Sequence, residues 1–211
     1  DLDIPFGNVE KSLKSIETVT ELCLKDNKIP LFLGGEHLVS YPIVKKVAEK
    51  YPDLIVLHFD AHADLRDSFF GEKLSHATVL RRISEHLMDK HIYHFGIRSG
   101  VKEEFVYAKE HTHMFPIEVK APFLKVLQDI KDKPVYITLD IDVVDPAFAP
   151  GTGTPEPGGC SSQEILDVVG HFKELNVVGF DLVEVSPAND LSDRTALLAA
   201  KILRELIIGL G

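Results

Sequence analysis

Asp60, His62 and Asp64 stand at alternate positions in the stretch DAHAD, directly after the run LIVLHF at residues 54–59. That run is mostly apolar or β-branched and predicts a buried strand ending at Asp60. Side chains two apart in extended backbone point to one side, so the three can converge if the chain stays extended. Three ionisable groups at one strand end would repel or stay unpaired unless a cation gathers them. Taken alone, the stretch also reads as a solvated acidic loop. The pattern recurs, however, where VYITL at residues 135–139 runs into Asp140-Ile141-Asp142, again two carboxylates two positions apart. His37 follows Gly34-Gly35-Glu36 after the short run IPLFL, and the glycines permit a tight turn that delivers the imidazole to the next element. Glu184 ends a fourth apolar run, VVGFDLV.

The intervening chain predicts what positions these residues. Asn8 caps a helix to about residue 27, and a second helix runs from near His37 to about residue 50, broken before Pro52. Ser75 caps a helix through about residue 88, with His76 at its start. A strand at 91–96 ends in Ile97-Arg98-Ser99-Gly100, and a short helix covers 102–110. A strand at 112–117, a helix at 121–130, a helix from Ser161 or Ser162 to about 172 and a last helix from Ser192 or Asp193 to about 208 complete the pattern. Residues 145–159, DPAFAPGTGTPEPGG, are too rich in Pro and Gly for regular structure and follow a ligand-bearing strand end, which predicts an ordered active-site loop. Strands alternating with helices predict a three-layer α/β/α domain with a mostly parallel sheet, a single domain over 1–211. In such sheets ligands bind beyond the carboxyl ends of strands. His37, Asp60, His62, Asp64, Asp140, Asp142 and Glu184 all fall there.

Composition narrows the function classes. Apolar residues make up 45% of 211 and charged residues 27%, with no apolar run long enough for a membrane span. The formal charge of −10, without a basic stripe, argues against nucleic acid and suits a cationic substrate or metal ions. Cys23 and Cys160 fit neither a disulfide framework nor a zinc spacing and are expected as free thiols in a reducing compartment, with the cytoplasm as the default. The first residue is Asp1 rather than Met, so the chain is expected to start within a longer protein or to have been processed.

Two histidines and four aspartates are too many ligands for one ion and suit two that share carboxylates. Hard oxygen donors without a thiolate favour manganese, with zinc, cobalt and iron as substitutes. Such a pair lowers the pKa of water and supports hydrolysis.

GGEH, DAHAD, the SHAT step, DIDVVDP with its GTGTPEPGG continuation, and DLVEVSP resemble, in order and spacing, the ureohydrolase family of arginases and agmatinases. The likeness runs from about residue 29 to the carboxyl end, and it implies an additional N-terminal segment, with one or two strands of the sheet and a substrate-facing loop, that is missing from this chain. It implies His37, Asp60, Asp64 and Asp140 around one manganese and Asp60, His62, Asp140 and Asp142 around the other. The reaction it implies is hydroxide attack on a guanidinium carbon, releasing urea and an amine. By the same resemblance Glu184 pairs with the guanidinium, His76 shuttles protons to the leaving amine, and Thr154 lines the guanidinium end of the pocket. The interval RDSFFGEKLSHATVLRR looks like the agmatinase branch, lacking the Ser-Gly-Asn-type loop with which arginases hold an amino-acid head group. Agmatine is therefore the expected substrate, with arginine or guanidinobutyrate as alternatives, and trimers or hexamers are the assemblies the family implies. Ala77 and Cys160 depart from the more usual Gly and aliphatic residue.

Other readings stay open at this stage. A mononuclear zinc amide hydrolase of the deacetylase type would leave His37 and the full DAHAD set unexplained, and a non-catalytic metal-stabilised module would not require Glu184 and His76. His58 shares the parity of Asp60 but reads as a satisfied core histidine. His91, His94, His111 and His113 read as structural or surface residues, and Arg66, Arg81 and Arg82 as surface or subunit-contact charges. Arg98 either supports the site or caps a loop.

Overall fold

The structure is a computed structural model and describes residues 1–5 and 7–211; Phe6, within the segment expected to be irregular, lies outside the described residues. Among the described residues the six strands are β1 (Leu31–Leu33), β2 (Ile55–Phe59), β3 (Ile92–Ile97), β4 (His113–Pro116), β5 (Pro134–Asp140) and β6 (Asn176–Val183). They form one sheet in the order β1-β6-β5-β2-β3-β4, and every pairing is parallel. Every residue of β2 and β5 is buried, as a parallel sheet covered on both faces requires.

Strand alternation sends side chains to two separate cores. Val135, Ile137 and Leu139 of β5 face one way and join Phe123 of α5 (Lys120–Ile130), Ile165 of α6 (Ser162–Gly170) and Ile202 of α7 (Arg194–Leu210). Tyr136 faces the other way, into the core built by Ile16 of α1 (Val9–Lys25), Val44 of α2 (Ser40–Lys50), Leu80 of α3 (Val79–Ser84) and Ala108 of α4 (Lys102–His111). The three layers expected from the alternation of elements are therefore present. From β2 the chain winds outward through β3 to β4, then returns to build β5 and β6 on the other side of β2. The winding reverses between β2 and β5, and that switch point is where a parallel sheet opens a crevice at its carboxyl edge.

Local chemistry explains most element ends. The Asn8 side chain accepts a hydrogen bond from the Lys11 N–H at 2.9 Å, and the Ser161 side chain accepts one from the Glu164 N–H, so both expected caps stand. The strand expected at 29–33 is shorter, since Pro30 has no N–H to extend the ladder. The helix expected from Ser75 to about residue 88 is a 3-10 turn, His76–Thr78, followed by α3, and it ends at Ser84. The Ser84 hydroxyl there donates to the Arg81 carbonyl at 2.7 Å, drawing the last turn onto itself. Arg82 is not the surface charge expected: it is buried, and its guanidinium joins Asp67 at 3.0 Å and Glu85 at 3.1 Å. Arg81 stacks over the Tyr107 ring instead.

Candidate metal centre

Asp60 follows β2 directly and Asp140 ends β5, so the two carboxylates sit on adjacent strand ends at the switch point. Continued extension accounts for only part of what surrounds them. His62 prolongs the sheet through a parallel bridge to Ser99. Asp64, in contrast, lies in the left-handed region at φ 54°, so a turn delivers its carboxylate, not the alternation read from the sequence. Asp142 also departs from extended backbone. It is carried by the 3-10 turn Ile141–Val143, where the Asp140 carboxylate accepts a hydrogen bond from the Asp142 N–H at 2.8 Å. The expectation of convergence survives, while its geometric ground is corrected at Asp64 and Asp142.

The structure brings all six candidate ligands together. His37 Nδ1 lies 3.1 Å from Asp60 Oδ2, 3.3 Å from Asp64 Oδ2 and 3.4 Å from Asp140 Oδ2. His62 Nδ1 lies 3.0 Å from Asp142 Oδ2 and 3.5 Å from Asp60 Oδ1. Asp60 therefore turns one oxygen to each group. All except His62 are buried. His37, His58, Asp60 and Asp64 form one cluster of ligand-type atoms close enough to hold an ion, and Asp60, His62 and Asp142 form another.

The donor set fits a cation. Among the described residues His37 Nδ1 and Asp142 Oδ2 are buried without a hydrogen-bond partner, although each faces oppositely polarised atoms about 3 Å away. Atoms aimed at a common point rather than at each other stand in this way. Burial, and then the Asp60 charge, push the Asp64 carboxyl up to about 7. Burial and the neighbouring charges of Asp142 and Asp60 raise Asp140 well above the carboxylate range. Against burial, the carboxylates of Asp142 and Asp60 lift the His62 imidazole to about 11, and those of Asp140, Asp60 and Asp64 raise His37. Protons thus collect where positive charge is missing.

Beneath the cluster runs a row of polar side chains that the sequence reading did not assign to the site. His94, His58, Thr138 and Asp181 occupy one register level across β3, β2, β5 and β6, and all are fully buried. Thr138 Oγ1 lies 2.9 Å from His37 Nε2 and donates to Asp181 Oδ1 at 2.6 Å, while the Tyr136 hydroxyl donates to Asp181 Oδ2. His58 Nε2 lies 2.8 Å from Asp60 Oδ2 and His58 Nδ1 lies 2.8 Å from His94 Nδ1. His58 is the satisfied core histidine expected, with both ring nitrogens engaged. The available signal was a polar residue inside each apolar strand run, since such residues are buried only with partners.

A cleft of about 240 Å³ opens onto the cluster, lined among others by His76, Thr154, Glu184, Arg66 and Phe69. Glu184 lies just past β6 at φ 65°, a conformation a non-glycine residue adopts at a cost, and its Oε1 accepts from the His37 N–H at 2.7 Å. Glu36 joins the 3-10 turn His37–Val39 to the 3-10 turn His76–Thr78. Its Oε1 accepts from the His76 N–H at 2.6 Å and its Oε2 accepts from the Leu38 N–H. The same carboxylate, 3.3 Å from His76 Nδ1, raises that imidazole's pKa. Arg98 fastens the Pro/Gly loop by donating from Nη2 to the carbonyls of Asp142 and Glu156, both at 2.7 Å. Gly159 is required for this closure, because a Cβ there would stand 2.6 Å from the Val143 oxygen and 2.7 Å from Arg98 Nη2.

The chain as a whole is similar to known proteins. A sequence model described as the Arginase family matches residues 1–209, and the chain belongs to that family. It is 50% identical to the agmatinase of Bacillus anthracis over 212 residues, covering 99% of this chain and 73% of that one. The crystal structure of a provisionally named agmatinase from Clostridium difficile superposes with a TM-score of 0.95 at 44% identity, covering 100% of this chain and 77% of that one. The human mitochondrial guanidino acid hydrolase is 39% identical, covering 100% of this chain and 63% of its own.

Proposed function

We propose that this chain, as one domain over residues 1–211, hydrolyses agmatine to putrescine and urea with two manganese ions. His37, Asp60, Asp64 and Asp140 are the ligands proposed for one ion, and Asp60, His62, Asp140 and Asp142 for the other. The observation that carries the reading is the buried Asp60, which presents one oxygen to His37 and the other to His62, both of which line the cleft. Two ions held by these residues would lower the pKa of a water and so would supply a nucleophile near neutral pH. The chain's own residues do the rest. Glu184, anchored through Oε1, offers the planar guanidinium a carboxylate in the wall of the cleft, and its negative charge favours a cation over a neutral amide. His76, held by Glu36 at the cleft mouth, is placed to deliver a proton to the departing amine. Thr154 shares the wall with Glu184.

Agmatine is favoured by the likeness to the Bacillus anthracis agmatinase at 50% identity. A second reading, a guanidino acid, is favoured by Arg66, a cation lining the same cleft that could meet a carboxylate. Its charge is already shared with the buried Glu104, 3.6 Å away, which weakens that case. The two thiols are free, which suits the cytoplasm, and the exposed Leu197, Ile207 and Ile208 of α7 suit assembly of a trimer or hexamer.

Urea release from agmatine, arginine and 4-guanidinobutyrate, measured in parallel with and without chelator, tests the reading. Chelator-sensitive urea from agmatine is expected. Preference for guanidinobutyrate would transfer the proposal to the guanidino acid, and no urea from any of the three would end it.

A further inference from the structure

We propose that His94 and His58 form a two-histidine relay that fixes the Asp60 carboxylate in the orientation that serves both metal positions, His58 holding the carboxylate and His94 holding His58. Both are positioning residues, and the inference rests on the reading of Asp60 as a shared ligand. Asp60 must keep its two oxygens pointing to different ions, and a free carboxylate would rotate about its last bond. The His62 N–H donates to Asp60 Oδ1, and His58 Nε2, 2.8 Å from Oδ2, holds the other oxygen, so the two contacts together stop that rotation.

The positions of the protons follow from the atoms available. The 2.8 Å contact between His58 Nδ1 and His94 Nδ1 needs one proton between the two nitrogens. If His94 supplies it, His58 Nδ1 is an acceptor, His58 is the Nε2–H tautomer, and its N–H points at the ionised Asp60. His94 Nε2, buried without a partner among the described residues, is then a bare lone pair. If His58 supplies the proton, His94 carries its own on Nε2, a buried N–H with no acceptor. His58 would then either be a buried cation or turn a lone pair on the carboxylate. An orphaned donor or a lone pair facing a carboxylate costs more than an unfilled acceptor, so the first placement holds. The tautomer of one histidine is set by the bond its other nitrogen makes. His94, which does not touch Asp60 within hydrogen-bonding distance, acts on it only through this choice.

Pairing of the strands enforces the arrangement. His58 and His94 are register partners on β2 and β3, their rings meet edge to face with centroids 5.0 Å apart, and both are fully buried. Neither ring reaches bulk solvent. Partners that hold metal-ligating groups in this way typically change metal affinity about 10–100-fold when removed.

The test uses the full chain and manganese alone, titrated against a competing chelator. His94→Leu removes the donor, while His94→Asn places an amide N–H where Nδ1 stood. The expected result is binding about tenfold weaker in His94→Leu, recovered in His94→Asn, with no further loss when His94→Leu is added to His58→Leu. Manganese binding by His94→Leu equal to wild type, or His94→Asn as weak as His94→Leu, would overturn the relay. If the leucine variants do not fold, the nitrogen-15 imidazole spectrum of the metal-free wild-type chain decides. Protons on His58 Nε2 and His94 Nδ1 support the relay, and a proton on His94 Nε2 refutes it. Asp60→Ala separates the two layers of the argument. Loss of manganese in Asp60→Ala with normal binding in His94→Leu removes the relay alone, whereas normal binding in Asp60→Ala removes the shared-ligand reading beneath it.

Discussion

Replacing Thr138 by valine keeps the shape of the side chain and deletes one hydroxyl, and the structure assigns that hydroxyl two tasks. It accepts from His37 Nε2 at 2.9 Å and donates to Asp181 Oδ1 at 2.6 Å, all three side chains being buried, while the Ser40 hydroxyl lies farther off at 3.3 Å. The variant leaves an imidazole N–H without an acceptor, at about 1–3 kcal/mol, and takes from Asp181 one of its two hydroxyl donors, at about 1.5–3 kcal/mol. The two losses share one atom and do not add fully, so a destabilisation of about 3 kcal/mol is expected. For a chain of this size that corresponds to a fall in Tm of about 6–12 °C for the metal-free protein. The metal-dependent loss is separate. Once released, the His37 ring can turn or exchange its proton to Nδ1, which then faces three carboxylates instead of an ion, and manganese affinity falls about 10–100-fold. At saturating metal a hundredfold weaker affinity removes a further ~2.7 kcal/mol of stabilisation. Thermal unfolding with and without manganese, together with chelator competition, measures both parts. Thr138→Ser restores the hydroxyl and should restore affinity. Manganese binding unchanged in Thr138→Val, or as weak in Thr138→Ser as in Thr138→Val, would refute the claim that this hydroxyl orients His37.

Three further outcomes follow from the same geometry. Glu184→Gln should keep its metal content by elemental analysis and lose about 10–150-fold in kcat/KM for the guanidino substrate, the equivalent of ~1.5–3 kcal/mol of charge-assisted bonding. Asp142→Ala should bind one metal in place of two and lose nearly all turnover, checked by metal stoichiometry and urea release; full activity would remove Asp142 from the site. Arg98→Ala leaves the carbonyls of Asp142 and Glu156 without their donor and should cost about 2–3 kcal/mol in urea denaturation, with faster protease cleavage within residues 145–159 and partial recovery in Arg98→Lys.

Strand ends were legible from the sequence because period and composition mark them directly: VYITL could only be a buried strand, and Asp140 had to lie at its edge. The parallel sheet and the common edge of the candidate ligands followed. Backbone turning was not legible. The left-handed conformation of Asp64 and the 3-10 turn carrying Asp142 are set by where the chain must go next, through Leu65 into the core and through Val143 toward Cys160, and no local residue type announces them. Supporting contacts were also beyond reach. His94 is 36 residues from His58, and Thr138 is 101 from His37, so their meeting depends on strand order and register, which a single sequence does not state. Arg82 was misplaced for a similar reason, because its burial is created by the path of the loop holding Asp67.

The central claim is that Asp60 is shared between two metal ions, and anomalous scattering from crystals grown with manganese tests it most directly. The account predicts two peaks about 3.5–4 Å apart, one near His37 and Asp64, the other near His62 and Asp142, with an Asp60 oxygen on each. A single peak, or two peaks of which one has no Asp60 oxygen, would contradict it.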